Sequence, residues 1–195
     1  IPMKVGCREK FWHKNCLAIG LSAAFIEPLE ASAIFLIEAA ANMVGDIFPA
    51  RRSVMNRSAE MFNQSFHYRW SRTLDFIKMH YVLSNKGESD YWWAARDSKN
   101  ITDSLQAKLE MWEHRPISKY DFSDINEPFP FESYQFVLYG MGRMPEDLPA
   151  QMYTKAKMAE ERFEQVKRAR KLICEGLPSH RELINKVCQY GFQSI

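Results

Sequence analysis

The stretch from Ala59 to Tyr81, AEMFNQSFHYRWSRTLDFIKMHY, decides the fold of this chain. Apolar residues recur along it at steps of three and four, which places them on one face of an α-helix. The pattern predicts a long amphipathic helix that ends at Asn85-Lys86-Gly87 and buries its apolar face in a helical core. The residues of that face are Ala59, Phe62, Phe66, Trp70, Leu74, Ile77 and Tyr81.

Helices are predicted on both sides of this stretch. Upstream, the turn Glu27-Pro28-Leu29-Glu30 begins a helix that runs to about Phe48, because proline is tolerated in a first helical turn and Pro49 stops the helix. Downstream, capping residues and apolar spacing predict further helices. They are a short helix after Ser89, one from about Thr102, one over residues 133–142, one over residues 156–173, and one from the capping box of Ser179 and Glu182 to about Gln189, with a proline-containing loop at residues 115–130.

Strands are predicted only near the N-terminus. Residues 1–7 alternate weakly between apolar and polar side chains, and residues 16–21 form a short apolar run that suits a buried strand. A strand followed directly by a helix is typical of the end of an α/β layer. The predicted fold is therefore mainly α, with one or two short strands at its N-terminal edge.

The composition excludes several classes of protein. The chain has 195 residues with 26 Lys and Arg against 24 Asp and Glu, so its charge gives no support for a nucleic-acid partner. The longest apolar stretch, residues 31–44, is interrupted by Glu38 and Asn42 and is too short to span a membrane. The spacing of the four cysteines fits neither a disulfide scaffold nor a zinc motif, so we expect buried thiols and no metal site.

Residues 19–33, IGLSAAFIEPLEASA, form the candidate site. An apolar run leads into small residues and then into a helix N-terminus, whose free backbone N–H groups can bind an anion or the oxygen atoms of a cofactor. Glu30 would sit at the mouth of such a site, where its pKa and its hydrogen bonding would matter. The alternative is that Glu27 and Glu30 only stabilise the first helical turn through the helix dipole. The candidate cofactor-binding residues are Gly20, Ser22, Ala23 and Pro28.

These residues resemble the C-terminal half of the flavin-dependent tryptophan halogenases. Residues 12–20, WHKNCLAIG, are similar to the family pattern W-x-K-N-C-x-x-I-G, and residues 25–30, FIEPLE, to F-x-E-P-L-E. Residues 72–81, RTLDFIKMHY, resemble a helix with the pattern R-D-F-x-x-x-H-Y, and residues 140–145, GMGRMP, resemble G-L-G-x-x-P. The resemblance covers nearly the whole chain.

The resemblance implies an enzyme activity. Family members use oxygen and reduced FAD, which a separate flavin reductase supplies, to convert chloride or bromide into hypohalous acid. That acid then halogenates an electron-rich, indole-like aromatic substrate. By the same resemblance, Glu30 would be catalytic and the backbone amides of Ser32 and Ala33 would bind the halide. The resemblance also implies a cytoplasmic enzyme and leaves a homodimer open.

The resemblance further divides the chain into two parts. Residues 1–30 would end a flavin-binding α/β layer, and residues 31–195 would form a helical domain on the substrate side. The glycine motif for the dinucleotide and the catalytic lysine would lie in an N-terminal portion upstream of Ile1. We therefore expect this chain to be part of a longer protein and to be inactive by itself.

Two departures from the family pattern leave alternatives open. Where the family has Ser-Thr-Gly, this chain has Ala31-Ser32-Ala33, so Ala33 would be strained if that position needs a left-handed backbone. Residues 120–132 are shorter than the corresponding family stretch and hold no tryptophan, so the substrate stays open between free tryptophan, a bare indole, a phenol or pyrrole-like ring, and a larger molecule. The competing functions are a flavin-dependent monooxygenase of the same fold and a helical interaction module without an active site.

Overall fold

The computed structural model describes residues 4–122, 124–146 and 155–192. Within these ranges seven α-helices carry most of the chain, which confirms the mainly α fold. The chain divides into two compact units, one within residues 1–147 and one within residues 148–195. The helices are α1 Ser32–Ile47, α2 Met55–Val82, α3 Asp90–Arg96, α4 Asp103–His114 and α5 Phe131–Gly140 in the first unit, and α6 Ala156–Gly176 and α7 His180–Tyr190 in the second.

The N-terminal strands are shorter than the sequence predicts and pair antiparallel. The described residues hold four strands of two residues each, β1 Gly6–Cys7, β2 Trp12–His13, β3 Cys16–Leu17 and β4 Ala24–Phe25. Strand β1 pairs with β4, and β2 pairs with β3 across a tight turn in which Lys14 has a φ of 55°. The strand predicted over residues 16–21 covers only Cys16–Leu17 and is not buried, since the chain turns at Gly20, which has a φ of 65° and begins a 3₁₀ turn.

Helix α2 is the centre of the first unit and confirms the predicted stripe. Its first half packs against the N-terminal hairpin through Phe62 and Phe66, which lie in one core cluster with Phe11 and Trp12. Its second half packs against α4 and α5 through Phe76 and other side chains. A second face of α2 is also buried, so the helix is covered on more sides than a single apolar stripe predicts. The buried residues of that second face include Thr73, Asp75, Phe76 and Met79.

A buried carboxylate connects α2 to α4. Asp75 is only 1% exposed and accepts hydrogen bonds from the hydroxyl groups of Thr102 and Ser104. Its third contact is an ion pair with Arg72, whose Nη2 lies 2.9 Å from Asp75 Oδ2 and also donates to Ser104 Oγ at 2.8 Å. Thr102 is the N-cap of α4, close to the predicted start of this helix, since its hydroxyl also accepts from the backbone N–H of Leu105. One buried charge therefore orders both the start of α4 and the side of α2.

The second unit is a pair of helices, α6 and α7, with exposed surfaces. The predicted capping box at the start of α7 is confirmed, because Ser179 Oγ accepts from the N–H of Glu182 while the Glu182 carboxylate accepts from the N–H of Ser179. The Ser179 hydroxyl, which donates to Glu182 Oε2 at 2.8 Å, and then the N–H of Ser179 lower the pKa of Glu182. The chain leaves α6 through Gly176 and Pro178, in the order that the sequence predicts.

The cysteines are not buried as the sequence predicts. Cys7, Cys16, Cys174 and Cys188 are all free and exposed. All four lie in short strands or amphipathic helices whose exposed faces carry them, so apolar neighbours in the sequence did not bring burial. Among the residues that the structure describes, no three His, Cys, Asp or Glu side chains come together in a way that could hold a metal ion. None of the described helices is both long and apolar enough to cross a membrane.

Replacing Gly87 with alanine is expected to destabilise the first unit by about 2–4 kcal/mol. Gly87 has a φ of 71°, and a Cβ atom there would lie 2.5 Å from Cδ1 of Trp92, whose ring packs against Tyr81. Gly142→Ala is a matched control, because Gly142 has a φ of 78° with no atom within 4 Å of the added Cβ. Urea unfolding should show a loss of only about 1–2 kcal/mol for the control. Equal losses for the two variants would show that the contact with Trp92 is unimportant.

Candidate functional site

The candidate catalytic residue lies in a strained turn ahead of α1. Glu30 is the middle residue of the 3₁₀ turn Leu29–Ala31 and has φ 62° and ψ 14°. Ala31 follows it at φ 51° and ψ 23°. Two consecutive left-handed residues other than glycine cost about 1–2 kcal/mol each. The predicted helix start at residues 27–30 was therefore wrong, and α1 begins at Ser32.

The strain that the sequence analysis assigns to Ala33 falls earlier in the chain. Ala33 is the second residue of α1 and is not among the residues with a positive φ. The left-handed backbone lies at Glu30 and Ala31 instead. The alanine at position 33 is thus compatible with the helix, because a helical backbone suits alanine best of all residues.

Helix α2 binds both glutamates of this segment. The Tyr81 hydroxyl donates to Glu27 Oε2 at 2.7 Å, and His80 Nε2 lies 3.2 Å from Glu30 Oε1. The hydrogen bond to Glu27, and then burial, raise the pKa of Tyr81, so this hydroxyl keeps its proton and remains a donor. The Glu30 side chain is still 44% exposed. Its carboxylate is therefore positioned by α2 and remains open to a ligand.

An apolar cavity of about 370 Å³ lies beside this turn. Gly20, Ala23, Pro28 and Ala33 line it, so three of the four candidate cofactor residues and one candidate halide residue share one space. None of its lining residues is charged, and the small residues Gly20, Ala23 and Ala33 leave room for the flat face of a ring. The remaining walls come from the loop before α1, from α1 and from α2, among them Phe11, Ile19, Leu36, Ile37, Phe66 and Trp70.

Ser22 and Ser32 direct their hydroxyl groups to the backbone. Ser22 Oγ donates to the carbonyl of Ile19 at 2.8 Å, and Ser22 does not line the cavity. Ser32 is 1% exposed, and its Oγ donates to the carbonyl of Leu29 at 3.3 Å. No side chain caps α1, so the N–H groups of its first turn have no capping acceptor. An anion at this position would therefore bind backbone N–H groups rather than either hydroxyl.

The sequence predicts no functional role for His80 or Tyr81. The contacts of His80 with Glu30 and of Tyr81 with Glu27 cannot be predicted from spacing in the sequence, because 50 and 54 residues separate the partners. The apolar stripe of α2 predicted correctly that Tyr81 lies on the core-facing side of the helix, but it did not predict a partner for the Tyr81 hydroxyl. Only the packing of α2 against the turn before α1 brings these four side chains together.

Comparison with known proteins identifies the family. The family model "tryptophan halogenase" matches residues 1–157. The tryptophan 6-halogenase ThaL of Streptomyces albogriseolus is 29% identical, over 96% of this chain and 38% of its own length. A crystal structure of a tryptophan halogenase from Shewanella frigidimarina is 40% identical, with a TM-score of 0.88 over 98% of this chain and 36% of that one.

A second solved structure shows the same fold. Tar14, described as a tryptophan C-6 flavin-dependent halogenase (chlorinase) from taromycin biosynthesis, is 27% identical with a TM-score of 0.86, over 95% of this chain and 37% of that one. The chain thus spans a little over a third of the length of each relative. The family model matches four fifths of the chain, and the solved structures match nearly all of it. Both comparisons indicate the same family. The chain belongs to the tryptophan halogenase family.

Proposed function

We propose that this chain is the C-terminal part of a flavin-dependent halogenase that transfers chloride or bromide to an electron-rich, indole-like aromatic substrate. The observation that carries the proposal is the placement of Glu30. Its carboxylate lies 3.2 Å from His80 and its side chain is 44% exposed. Along the chain it lies between Pro28 and Ala33, which both line the apolar cavity. A carboxylate held beside an apolar space suits chemistry on an aromatic ring.

The residues around the cavity fit a flavin. Gly20, Ala23 and Pro28 present no side chain large enough to keep a flat ring from the backbone, and the lining is almost entirely apolar. We propose that these residues contact the ring of FAD. When bound, reduced FAD supplies, with oxygen, the oxidising power that converts halide into hypohalous acid. Ser22 would contribute through its backbone alone, since its hydroxyl already donates to Ile19.

The start of α1 fits a halide. The first-turn N–H groups of this sixteen-residue helix, at Ser32 and Ala33, have no capping side chain, and the positive end of the helix dipole favours an anion there. Ala33 also lines the cavity, so an anion at its N–H group would lie beside the proposed ring site. We propose that these two backbone amides bind chloride or bromide.

Glu30 would act on the substrate through its free oxygen. Oε1 faces His80, which leaves Oε2 for the reaction. In electrophilic halogenation of an aromatic ring, the carbon that gains the halogen must lose a proton. We propose that Glu30 Oε2 accepts this proton as a general base and helps to orient the electrophile.

The rest of the machinery would lie outside this chain. The chain covers 38% of the length of its relative ThaL. We propose that the remaining part of the whole protein carries the dinucleotide-binding motif and the catalytic lysine, that residues 1–30 complete its flavin layer, and that residues 31–195 form the substrate side. A separate flavin reductase would supply the reduced cofactor. This chain alone would then be inactive.

The full-length gene product tests the proposal directly. It is incubated with FAD, a flavin reductase, oxygen, indole or free tryptophan, and chloride or bromide, and the products are separated by mass spectrometry. We expect a halogenated aromatic product. A hydroxylated product without halogen would identify a monooxygenase. Failure to bind FAD would favour an interaction module.

A further inference from the structure

The backbone at Glu30 needs support from outside its own turn. Glu30 and Ala31 have φ values of 62° and 51°, a conformation that residues other than glycine rarely adopt in succession. Within the turn, the N–H of Ala31 donates to the carbonyl of Pro28 at 3.1 Å, and Ser32 Oγ donates to the carbonyl of Leu29. Strain of this kind persists only where surrounding contacts over-determine it, and it concentrates at functional positions.

His80 supplies such a contact and is itself fixed on two sides. Its Nδ1 lies 2.8 Å from the carbonyl oxygen of Phe76, which can only accept, so Nδ1 carries a proton. The Phe76 ring also meets the imidazole edge-to-face, with 5.0 Å between centroids. Nε2 is thereby directed at Glu30 Oε1, 3.2 Å away, and donates to it when the imidazole carries a proton on both nitrogens. The ring cannot turn without losing the hydrogen bond to its own helix.

A second anchor holds the other end of the same segment. Tyr81, the next residue of α2, donates to Glu27 Oε2 at 2.7 Å. Two consecutive residues of one rigid helix therefore bind the first and last residues of the segment Glu27–Glu30. Since α2 is a 28-residue helix with a buried core face, it provides a fixed reference for the position of Glu30.

We propose that His80 is a positioning residue that holds Glu30 in its left-handed turn and directs the carboxylate toward the reacting ring. The proposal rests on the catalytic role of Glu30 given above. His80 would not touch the substrate; it would act through Glu30. Small displacements of a reacting group lower rates strongly, so loss of this contact should appear in kcat rather than in substrate binding.

Kinetics of the full-length enzyme test this role. We expect His80→Ala to lower kcat for halogenation by about tenfold with little change in the KM of the aromatic substrate. His80→Gln, which keeps an N–H donor of similar reach, should recover most of the rate. In a Glu30→Gln background, His80→Ala should cause no further loss. An equal loss in both backgrounds would show that His80 is merely structural and would overturn the proposal.

Hydrogen–deuterium exchange in the full-length protein gives a readout that does not depend on activity. In His80→Ala, the peptide covering residues 28–34 should exchange faster while the middle of α2 stays protected. His67→Ala is the matched control, because His67 lies on the same helix with its Nε2 2.7 Å from the carbonyl of Glu9. It should leave residues 28–34 unchanged.

The two experiments separate the positioning role from the proposed function. If the wild-type enzyme gives no halogenated product, the proposed function fails, while exchange at residues 28–34 still decides whether His80 holds the turn. If the wild-type enzyme halogenates and His80→Ala changes neither exchange nor kcat, only the positioning role is wrong.

Discussion

Glutamine at position 30 in the full-length enzyme is expected to lower the rate of halogenation by about 10²-fold. The amide keeps the size of the carboxylate and can still accept a hydrogen bond, but it cannot take up a proton from the ring. FAD binding should be unchanged, because Gly20, Ala23 and Pro28 line the cavity independently of the Glu30 carboxylate. Single-turnover product formation and flavin fluorescence titration measure the two quantities separately.

Glu38→Gln is the control for this experiment. Glu38 is an exposed carboxylate of α1 that lies away from the apolar cavity, so removing its charge should leave the rate unchanged. A Glu30→Gln enzyme with the wild-type rate would show that this residue only belongs to the turn before α1. A loss of rate together with a loss of FAD binding would point to collapse of the strained turn rather than to lost proton transfer.

The sequence predicted those elements whose structure depends only on residues close together in the chain. The stripe from Ala59 to Tyr81 predicted α2, because a 3.6-residue period over six turns leaves little choice of conformation. The capping box of Ser179 and Glu182 predicted the start of α7, since all of its hydrogen bonds are local. Elements of this kind need no knowledge of what packs against them.

The candidate site was predicted only in part, because its geometry depends on contacts between distant residues. The segment at residues 19–33 indicated a ligand site of small residues before a helix start, and the structure does place Gly20, Ala23, Pro28 and Ala33 around one cavity. The left-handed turn at Glu30 could not be predicted, since glutamate has no preference for that backbone. Its support comes from His80, whose position is set by the docking of α2.

The buried face of α2 shows the same limit. Asp75 reads as a polar interruption beside the apolar stripe, yet it is 1% exposed and its partners Thr102 and Ser104 lie at the start of α4. A charged residue is almost never fully buried unless it is paired. The burial of Asp75 depends on its partners on α4 and on the neighbouring Arg72, which its own sequence position does not reveal.

Asp75→Ala is expected to lower the free energy of unfolding of the first unit by about 3–5 kcal/mol. The substitution leaves the Arg72 guanidinium, whose side chain is 13% exposed, without its carboxylate, and Arg72 Nε already has no hydrogen-bond partner among the described residues. It also removes the shared acceptor of Thr102 and Ser104, so α4 loses this polar link to α2. Urea unfolding followed by tryptophan fluorescence measures the change, since Trp70 and Trp112 are buried in the same unit.

Asp75→Asn and Asp103→Ala make this measurement decisive. A loss of 3–5 kcal/mol is a large part of the stability of a typical domain, so the alanine variant could fail to fold. Asparagine keeps the shape and one acceptor oxygen but removes the charge, and it should lose roughly half as much. Asp103 is an exposed carboxylate in the first turn of α4, and its removal should cost less than about 1 kcal/mol through the helix dipole alone. If Asp75→Ala and Asp103→Ala lower the free energy of unfolding equally, the buried charge does not connect the two helices. If only Asp75→Ala lowers it strongly, the Asp75 carboxylate fixes α4 on α2, the helix that also positions Glu30.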